Sequence, residues 1–331
     1  MKILVTGGTG YIGSTVCYAL IDNGHIPVIL DKNDRVEFTF DKIFYQGDIS
    51  DKALLKKIIT EHPDIDFTIH LAAMTVVPDS VEDPSEYYTE NVTKSISLFT
   101  NLKEFGYHKI VYSSSASIYD DPIDLVVTEE SPLNPRSPYA RTKYMTEMIL
   151  EDFCYAYGLR GMSLRYFNPI GADPKMRTGA TIKFPSHLLG KLLKSVSDEG
   201  EVFKITGTNW PTKDGTGIRD YIHIWDLAMA HVKAVENFEN AFELSDEPQK
   251  PYLVLNIGKG EGITVKEFIS IFENVYGKII EKIETEPRLG DVAGAFANVE
   301  KVNKLLNWTA SLSIEEGMKD AMKWNEQRNH N

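Results

Sequence analysis

Cysteine is nearly missing from this sequence. Its 331 residues include only two, Cys17 and Cys154. Both fall in stretches with the apolar spacing of an amphipathic helix, where a small buried thiol is the ordinary finding. We therefore expect neither a disulfide, nor a cysteine nucleophile, nor a metal site.

Long apolar runs and an excess of positive charge are missing too. The chain has 35 Lys and Arg against 48 Asp and Glu, for a net charge of -13. This argues against a general surface for nucleic acid or anionic membrane. No apolar run is long enough to span a bilayer, and the first strand begins at Lys2, which leaves no room for a signal peptide. We predict a cytoplasmic protein without nucleic-acid or membrane partners.

The composition and the order of apolar segments predict an α/β protein. Hydrophobic residues make up 42% and charged residues 25% of the chain, which is typical of a soluble globular protein. Strands and helices alternate in the first half, which indicates a Rossmann-type doubly wound parallel sheet. Predicted segments there are 2–5, 25–30, 43–46, 52–61, 67–71, 85–105 and 109–112.

The second half is less regular and indicates a smaller α/β lobe. We divide the chain into a dinucleotide-binding domain, 1–170, and a substrate domain, 171–331, with a stretch near 219–257 returning to the first. Helices are predicted at 185–196, 264–276 and 300–306, and a solvated acidic loop at 236–247.

A glycine turn follows the first strand. Gly7 permits the tight turn, Gly10 lets backbone approach a pyrophosphate, and Gly13 lets helix and strand pack closely. Tyr11 and Ile12 open the helix, whose N-terminus faces the phosphates. The spacing is GxxGxxG, and its position between strand and helix favours dinucleotide binding over a purely structural turn.

Two aspartates follow the next strands. Asp31 stands where a carboxylate would bind an adenosine ribose, which favours NAD because it would repel a 2′-phosphate. Lys32 and Arg35 leave NADP open, and a simple turn role for Asp31 is the alternative. Asp48 is predicted either to meet the adenine amine or to cap the helix that follows it.

The carboxyl ends of the remaining strands also carry small or polar residues. Ala72 and Ala73 leave space for a cofactor, or simply pack tightly. We read His70 as a packed core imidazole, and Asn91 as either a cofactor contact or an exposed polar residue. The serines 113–115 end a central strand, where a serine such as Ser115 is placed to share a hydrogen bond with a phenol and a substrate hydroxyl; a merely polar strand end is the alternative.

The segment from Ser137 to Lys143 predicts a helix that carries a base. Ser137 is a good N-cap and Pro138 suits the first turn. Tyr139 and Lys143 stand four residues apart, so both side chains rise from one face. An ammonium about 5 Å from the phenol would lower its pKa by about two units at an effective dielectric of about 20. An exposed tyrosine and a solvated lysine are the alternative.

These motifs together resemble the extended short-chain dehydrogenase/reductase superfamily and, within it, the UDP-glucose 4-epimerase family. The matching stretches include 6–14, 47–49, 86–88 with 91–92, 113–119 and 137–139, and of these 6–14 and 86–88 with 91–92 are superfamily-wide. The stretches 165–169 (Arg-Tyr-Phe-Asn-Pro) and 214–223 (Asp-Gly-Thr-Gly-Ile-Arg-Asp-Tyr-Ile-His) are more specific to the epimerases. The resemblance implies NAD-dependent inversion of a UDP-hexose at carbon 4, UDP-glucose/UDP-galactose or their N-acetyl counterparts, through a 4-keto intermediate.

The resemblance also implies a role for each matching residue. The implied catalytic residues are Tyr139, Lys143 and Ser115. The implied cofactor contacts are Gly7, Gly10, Tyr11, Ile12, Gly13, Asp31, Asp48, Ile49, Leu71, Ala72, Ala73, Asn91, Ser113, Tyr139, Lys143 and Tyr166. The implied substrate contacts are Ser115, Ser117, Tyr139, Asn168, Arg219, Arg288, Asp291 and Ala295.

Some positions depart from related families. Dehydratases of nucleotide sugars carry an acidic pair after the catalytic hydroxyl residue, whereas Ser115 is followed by Ala116-Ser117, so elimination lacks its acid and base. Thr75 replaces an epimerase lysine, and residues 181–183 (Thr-Ile-Lys) stand in a shortened loop, where Lys183 is placed to compensate. Ala295 replaces a bulkier residue and leaves space for an N-acetyl group.

A homodimer is implied as well. In this superfamily two helices of each subunit pair into a four-helix interface, and segments 85–105 and 139–157 correspond to them. Tyr144, Met148 and Phe153 are the candidate contacts, with ordinary core packing as the alternative.

Overall fold

The protein is described from a computed structural model that covers residues 1–34, 38, 40–122, 124–182, 187–197, 202–287 and 292–330. The strands are β1 Lys2–Thr6, β2 Ile26–Asp31, β3 Ile43–Gln46, β4 Ile65–His70, β5 Lys109–Ser115, β6 Val126–Val127, β7 Arg160–Tyr166, β8 Asn168–Ile170, β9 Phe203–Thr206, β10 Ile218–His223, β11 Tyr252–Ile257, β12 Gly262–Thr264, β13 Lys282–Thr285 and β14 Phe296–Ala297.

The helices alternate with these strands. They are α1 Tyr11–Asp22, α2 Lys52–Glu61, α3 Val77–Glu82, α4 Pro84–Tyr88, α5 Lys94–Glu104, α6 Pro138–Tyr157, α7 Leu188–Ser197, α8 Ile224–Glu236, α9 Phe238–Glu243, α10 Val265–Tyr276, α11 Glu300–Leu306 and α12 Ile314–His330. None of the helices in these ranges is long and apolar enough to cross a membrane.

A seven-stranded parallel sheet forms the larger part of the molecule, which confirms the predicted fold class. Its order is β11-β7-β5-β4-β1-β2-β3. One apolar core joins α1 and α8 on one face, while a second joins α2, α5 and α6 on the other. The carboxyl ends of β1, β4 and β5 therefore meet at one edge, where ligands of such sheets bind.

The smaller part contains the short sheets β12-β10-β8 and β13-β9. Its core gathers residues from α7, α10 and α12 around Phe268 and Phe272. The predicted helix 264–276 is found one residue shorter, with Thr264 as the N-cap of a capping box. The predicted helix 185–196 is described from Leu188 onward, because its first residues lie outside the described ranges.

The loop predicted at 236–247 was wrong in detail. It contains helix α9, because Phe238 and Phe242 are four residues apart and bury one apolar face. The helix predicted at 85–105 is found as one continuous helical run, which consists of α4, a π-helical turn at Thr89–Thr93, and α5. Turns of this kind often mark functional sites.

Candidate active site

Helix α6 begins where the sequence predicted. The Ser137 side chain accepts a hydrogen bond from the Ala140 amide, and Pro138 occupies the first turn. Tyr139 and Lys143 lie on one face, and the Lys143 Nζ is 5.9 Å from the centre of the Tyr139 ring. The predicted neighbourhood of ammonium and phenol is therefore present.

Lys143 is held by the end of strand β5. The Nζ donates to the Ser113 carbonyl at 2.8 Å and to the Ser113 Oγ at 3.2 Å, and it lies 5.2 Å from the Tyr112 ring. The side chain is 2% exposed. Burial lowers the pKa of Lys143 to about 7, because water no longer solvates the ammonium.

The acidity of Tyr139 differs from the prediction. Burial raises the pKa of the phenol to about 12, and a hydrogen bond with the Ser115 side chain lowers it by less. The expected fall in the pKa of Tyr139 was wrong because desolvation acts on both members of the pair. It disfavours the phenolate directly, and it also weakens the charge on Lys143.

Ser115 and Ser117 form a hydroxyl pair beside the phenol. Their Oγ atoms are 2.9 Å apart, and the Ser117 amide donates to the Ser115 Oγ at 3.2 Å. Ser115 thereby caps the short 3₁₀ turn at Ala116–Ile118. Ser117 is exposed and Ser115 half-buried, so both hydroxyls are accessible from this edge of the sheet.

The glycine turn has the close contacts that its spacing predicts. Gly7 has a φ of +72°, and a Cβ there would lie 2.6 Å from the Ala72 nitrogen. A Cβ at Gly13 would lie 2.1 Å from the Gly7 oxygen, so helix and turn require glycine. A Cβ at Gly10 would meet only that oxygen, at 3.4 Å. Packing therefore does not demand glycine at position 10, whereas a closely approaching phosphate would.

The residues predicted to contact the adenosine belong to an ordered set of charges. Asp31 accepts hydrogen bonds from the amides of Thr9 and Asn33 at 3.1 and 3.0 Å. Lys32 pairs with Glu90 and lies 3.3 Å from the Asp48 carboxylate. The positive charge of Lys32 is therefore already balanced by two carboxylates, so it would attract a 2′-phosphate only weakly. Arg35 lies outside the described residues.

Asp48 does not cap helix α2, so that alternative was wrong. Asp51 is the N-cap, and its side chain accepts from the amides of Ala53 and Leu54. Asp48 instead lies 2.6 Å from the Lys94 Nζ and accepts from Ser50. These partners hold the pKa of Asp48 well below its usual range. Ile49 beside it is buried in the core.

Asn91 is buried in the π-helical turn, so the exposed alternative was wrong. Its Oδ1 accepts from the Met74 amide at 2.8 Å, and its Nδ2 donates to the Met74 carbonyl and the Thr142 Oγ1, each at 3.0 Å. Asn91 therefore ties the loop after β4 to helix α6. That loop begins with Leu71, Ala72 and Ala73.

His70 is the packed core imidazole that the sequence predicted. It is 1% exposed and bonded to the Thr6 and Ser95 hydroxyls. Burial, and to a lesser degree the nearby Lys143, lower its pKa to about 3. His70 is therefore neutral and unsuited to act as a base near neutral pH.

Other predicted cofactor residues connect the two parts of the molecule. The Tyr11 hydroxyl donates to the Gly171 carbonyl at 2.7 Å. Ile12 packs against the large core. Tyr166 is buried at the end of β7, where its hydroxyl contacts the His231 Nε2 and the Ser113 side chain.

The predicted substrate residues are only partly described. Asn168 is exposed on β8. Arg219 donates from Nη1 to the carbonyls of Ile218 and Ala293 at 2.6 and 3.1 Å. Ala295 is half-buried against the cluster that contains Tyr119 and Phe167. Arg288, Asp291 and Lys183 lie outside the described residues.

Sequence reasoning missed the buried charges behind the site. Glu147 lies on α6 one turn beyond Lys143, and Arg165 on β7 binds both of its carboxylate oxygens. Asp220 is also buried, and it accepts from the amides of Lys259, Gly260 and Ala297. Residues 139, 143 and 147 share the four-residue spacing of one helix face, which was the available signal for Glu147.

The cysteines are buried and free, as predicted. Burial raises the pKa of Cys154 to about 12, so its thiol is protonated and inert. Within the described ranges, no group of three His, Cys, Asp or Glu side chains is placed to hold a metal ion.

Comparison with known proteins finds a family match and close relatives over most of the chain. The NAD dependent epimerase/dehydratase family matches residues 3–258. UDP-glucose 4-epimerase of Bacillus subtilis is 37% identical over 98% of this chain and 96% of its own.

Two solved structures extend the comparison. UDP-glucose-4-epimerase of Stenotrophomonas maltophila, crystallised with bound NAD and formylated UDP-arabinopyranose, superposes with a TM-score of 0.91. It is 32% identical and covers 100% of this chain and 99% of that one. The UDP-Glc/GlcNAc 4-epimerase of Campylobacter jejuni gives a TM-score of 0.81 at 30% identity over 98% and 99% of the two chains. The chain belongs to the NAD dependent epimerase/dehydratase family.

Proposed function

We propose that the protein is an NAD-dependent isomerase that interconverts UDP-glucose and UDP-galactose by inverting carbon 4 of the hexose. The observation that carries the proposal is the convergence of Tyr139, Ser115 and Lys143 beside the glycine turn, at one edge of a parallel sheet. The relatives support the reaction and substrate, since the Bacillus protein is named for them.

The residues present fit a bound dinucleotide. Gly7 and Gly13 permit the tight turn and the close helix packing, Gly10 leaves backbone open to a phosphate, and Asp31 follows the next strand, where a ribose would bind. When bound, NAD supplies a nicotinamide ring that takes a hydride from carbon 4 of the sugar and later returns it. We assign the dinucleotide to the large sheet, mainly residues 1–170, and the sugar nucleotide mainly to residues 171–331.

The side chains of this protein manage the proton and the orientation of the sugar. In its ionised form, Tyr139 takes the proton of the 4-hydroxyl, and carbon 4 becomes a ketone. Ser115 donates a hydrogen bond to the same oxygen, and Lys143 stabilises the negative charge on the phenolate. The 4-ketose turns over in the site, and Tyr139 gives the proton back to its oxygen when carbon 4 is reduced on the opposite face.

Inversion makes unequal demands on the two ends of the substrate. The nucleotide must stay bound while the hexose rotates, because a tight grip on the ground-state sugar would slow the turn. We assign the diphosphate to Arg219 and Arg288, with Asn168, Ser117 and Asp291 near the sugar. Since the hydride is returned in each cycle, no cofactor is consumed.

We expect the purified protein to convert UDP-galactose and UDP-glucose into each other with no added cofactor, and to release NAD on denaturation. The measurement is chromatography of the UDP-sugars and of the denatured supernatant. Steady formation of NADH would favour a net oxidoreductase on the same scaffold. Absence of any 4-epimer from cofactor-loaded protein would refute the proposal.

The same incubation tests N-acetyl sugars. Ala295 is small and half-buried beside the cluster of Tyr119 and Phe167, which leaves space for a larger group at carbon 2. The Campylobacter relative is named for both UDP-Glc and UDP-GlcNAc. Failure of both UDP-GlcNAc and UDP-GalNAc, while UDP-galactose turns over, would exclude this extension.

We further propose a homodimer through α5 and α6. Apolar side chains on these helices remain open to solvent, among them Ile96 at 38%, Met148 at 40% and Tyr155 at 56% exposure. Phe153 instead packs within its own chain, 6.1 Å from the Phe99 ring. We expect sedimentation to give twice the chain mass, and Met148→Glu to give monomers. A monomeric wild-type protein would contradict the proposal.

A further inference from the structure

The ammonium of Lys143 is buried without an anion at hydrogen-bonding distance. Its two acceptors, the carbonyl and the hydroxyl of Ser113, are neutral, and its other neighbours are the rings of Tyr112 and Tyr139. A buried cation in such surroundings tends to lose its proton. The site therefore needs a further source of negative charge if Lys143 is to remain charged.

Glu147 supplies negative charge from the same helix. It lies four residues beyond Lys143, so both side chains rise from one face of α6, and it is 3% exposed. Its carboxylate raises the pKa of Lys143, in opposition to burial. Because water is largely excluded here, this interaction is screened less than it would be at the surface.

Arg165 fixes this carboxylate in place. The Nε donates to one carboxylate oxygen at 3.0 Å and the Nη2 to the other at 2.8 Å. The Nη1 donates to the Tyr119 hydroxyl at 2.9 Å and to the Glu129 carbonyl at 3.1 Å. The Arg165 guanidinium is thus also hydrogen-bonded to two neutral acceptors. A two-pronged pair of this kind fixes the orientation of the Glu147 carboxylate and prevents it from rotating.

We infer that Glu147, held by Arg165, is a positioning residue that keeps Lys143 protonated beside Tyr139 during the reaction. This inference rests on the proposed function for its catalytic consequence. The charge assignment itself depends only on the contacts between α6, β5 and β7. The structure thus extends the pair of Tyr139 and Lys143 to a row of three side chains along one helix face.

The other titratable groups around Lys143 do not supply this charge. From β4, His70 is neutral, since its pKa lies at about 3. From β5 and β7, Tyr112 and Tyr166 are phenols whose pKa burial raises well above its usual value. On α6, burial also raises the pKa of Tyr139, to about 12, so its phenolate is the minor form before substrate binds. Of the groups in the described ranges that face Lys143, Glu147 is the one that carries a negative charge.

The test is the substitution Glu147→Gln, which removes the charge and keeps the shape. We expect the alkaline limb of kcat/KM for UDP-galactose to move to lower pH by about one unit, because Lys143 loses its proton more readily. Turnover above the limb should fall about tenfold. The matched control is Glu151→Gln, one turn further along the same helix and half-exposed, which should leave the limb in place.

A second measurement does not depend on activity. The titration of Lys143 can be followed by carbon NMR of protein with labelled lysine side chains, with Lys143→Met to assign the signal. We expect its midpoint to fall by about one pH unit in Glu147→Gln and to stay unchanged in Glu151→Gln. An unchanged midpoint in Glu147→Gln would overturn the inference. Wild-type protein that carries NAD but forms no epimer would instead overturn the proposed function, and the NMR result would still stand.

Loss of folding in Glu147→Gln would not end the test. That variant leaves Arg165 buried without its anion, whereas Glu147→Gln with Arg165→Met removes both charges and is better tolerated. The double variant should show a smaller fall in the midpoint of Lys143, because loss of the Arg165 cation offsets part of the loss of the nearer carboxylate. A midpoint at or above the wild-type value in the double variant would overturn the inference.

Discussion

Replacing Tyr139 with phenylalanine is expected to lower the turnover of UDP-galactose at least ~100-fold, the low end of the loss expected for a general acid or base. The ring is half-buried and would keep its packing, so only the hydroxyl that bonds Ser115 is lost. The measurement is the initial rate of UDP-glucose formation at saturating substrate.

The control for this variant is Tyr144→Phe. Tyr144 lies on the same helix and is half-buried, but we assign it no part in the reaction. It should turn over substrate at nearly the wild-type rate. Both variants should retain NAD and the wild-type free energy of unfolding to within about 1 kcal/mol. Near-normal turnover by Tyr139→Phe would remove the phenol from the mechanism.

Replacing Lys143 with methionine is expected to lower turnover at least ~10-fold while it stabilises the fold. Burial has moved the pKa of Lys143 from its usual 10.5 to about 7. Below pH 7 both the folded and the unfolded chain carry the ammonium, and the folded chain bears the full cost of desolvating it. The Ser113 carbonyl loses its donor in the variant, which offsets part of the gain. A tenfold change in an acid dissociation constant corresponds to about 1.4 kcal/mol, so we expect the variant to be more stable by on the order of 3 kcal/mol at pH 6.

The stability gained by Lys143→Met over the wild type should decrease as the pH rises. Between about pH 7 and 10.5 the unfolded chain binds more protons at this residue than the folded chain, so wild-type stability rises with pH. The difference between Lys143→Met and wild type should therefore shrink across that window. Urea unfolding at about pH 6, 8 and 10 measures it. A difference that stays constant with pH would show that Lys143 does not titrate as described.

Local sequence patterns were enough to predict much of the fold. Strand β3 and helices α2 and α11 begin and end at the predicted residues, because their apolar periodicity and flanking polar residues are local signals. Ser137 and Pro138 likewise predicted the start of α6. The glycine turn was predictable because only glycine fits at two of its positions. A Cβ at Gly7 would meet the backbone of Ala72, and one at Gly13 would meet the backbone of Gly7 and Gly8, so the spacing is visible in the sequence.

The errors arose where distant segments decide the outcome. Helix spacing placed Tyr139 and Lys143 on one face, but the depth of their burial depends on strands β5 and β7 packing against that helix. The π-helical turn at Thr89–Thr93 accompanies the hydrogen bonds of Asn91 with Met74 and Thr142, which are 17 and 51 residues away along the chain. Similarly, Asp48 and Asp51 were both candidates for the N-cap of α2. Asp51 is the cap, while Asp48 forms an ion pair with Lys94 of α5.

The return of the chain to the large sheet has a consequence for biosynthesis. Strand β11 completes one edge of that sheet, and helix α8 covers α1 within its core. A nascent chain that has emerged only as far as residue 200 therefore exposes the flank of β7 and the apolar side of α1. Incompletely covered sheets of this kind are prone to aggregate. The ribosome must release about four-fifths of the polypeptide before its first half can close, so a fragment that stops at residue 170 should be recovered chiefly as insoluble material.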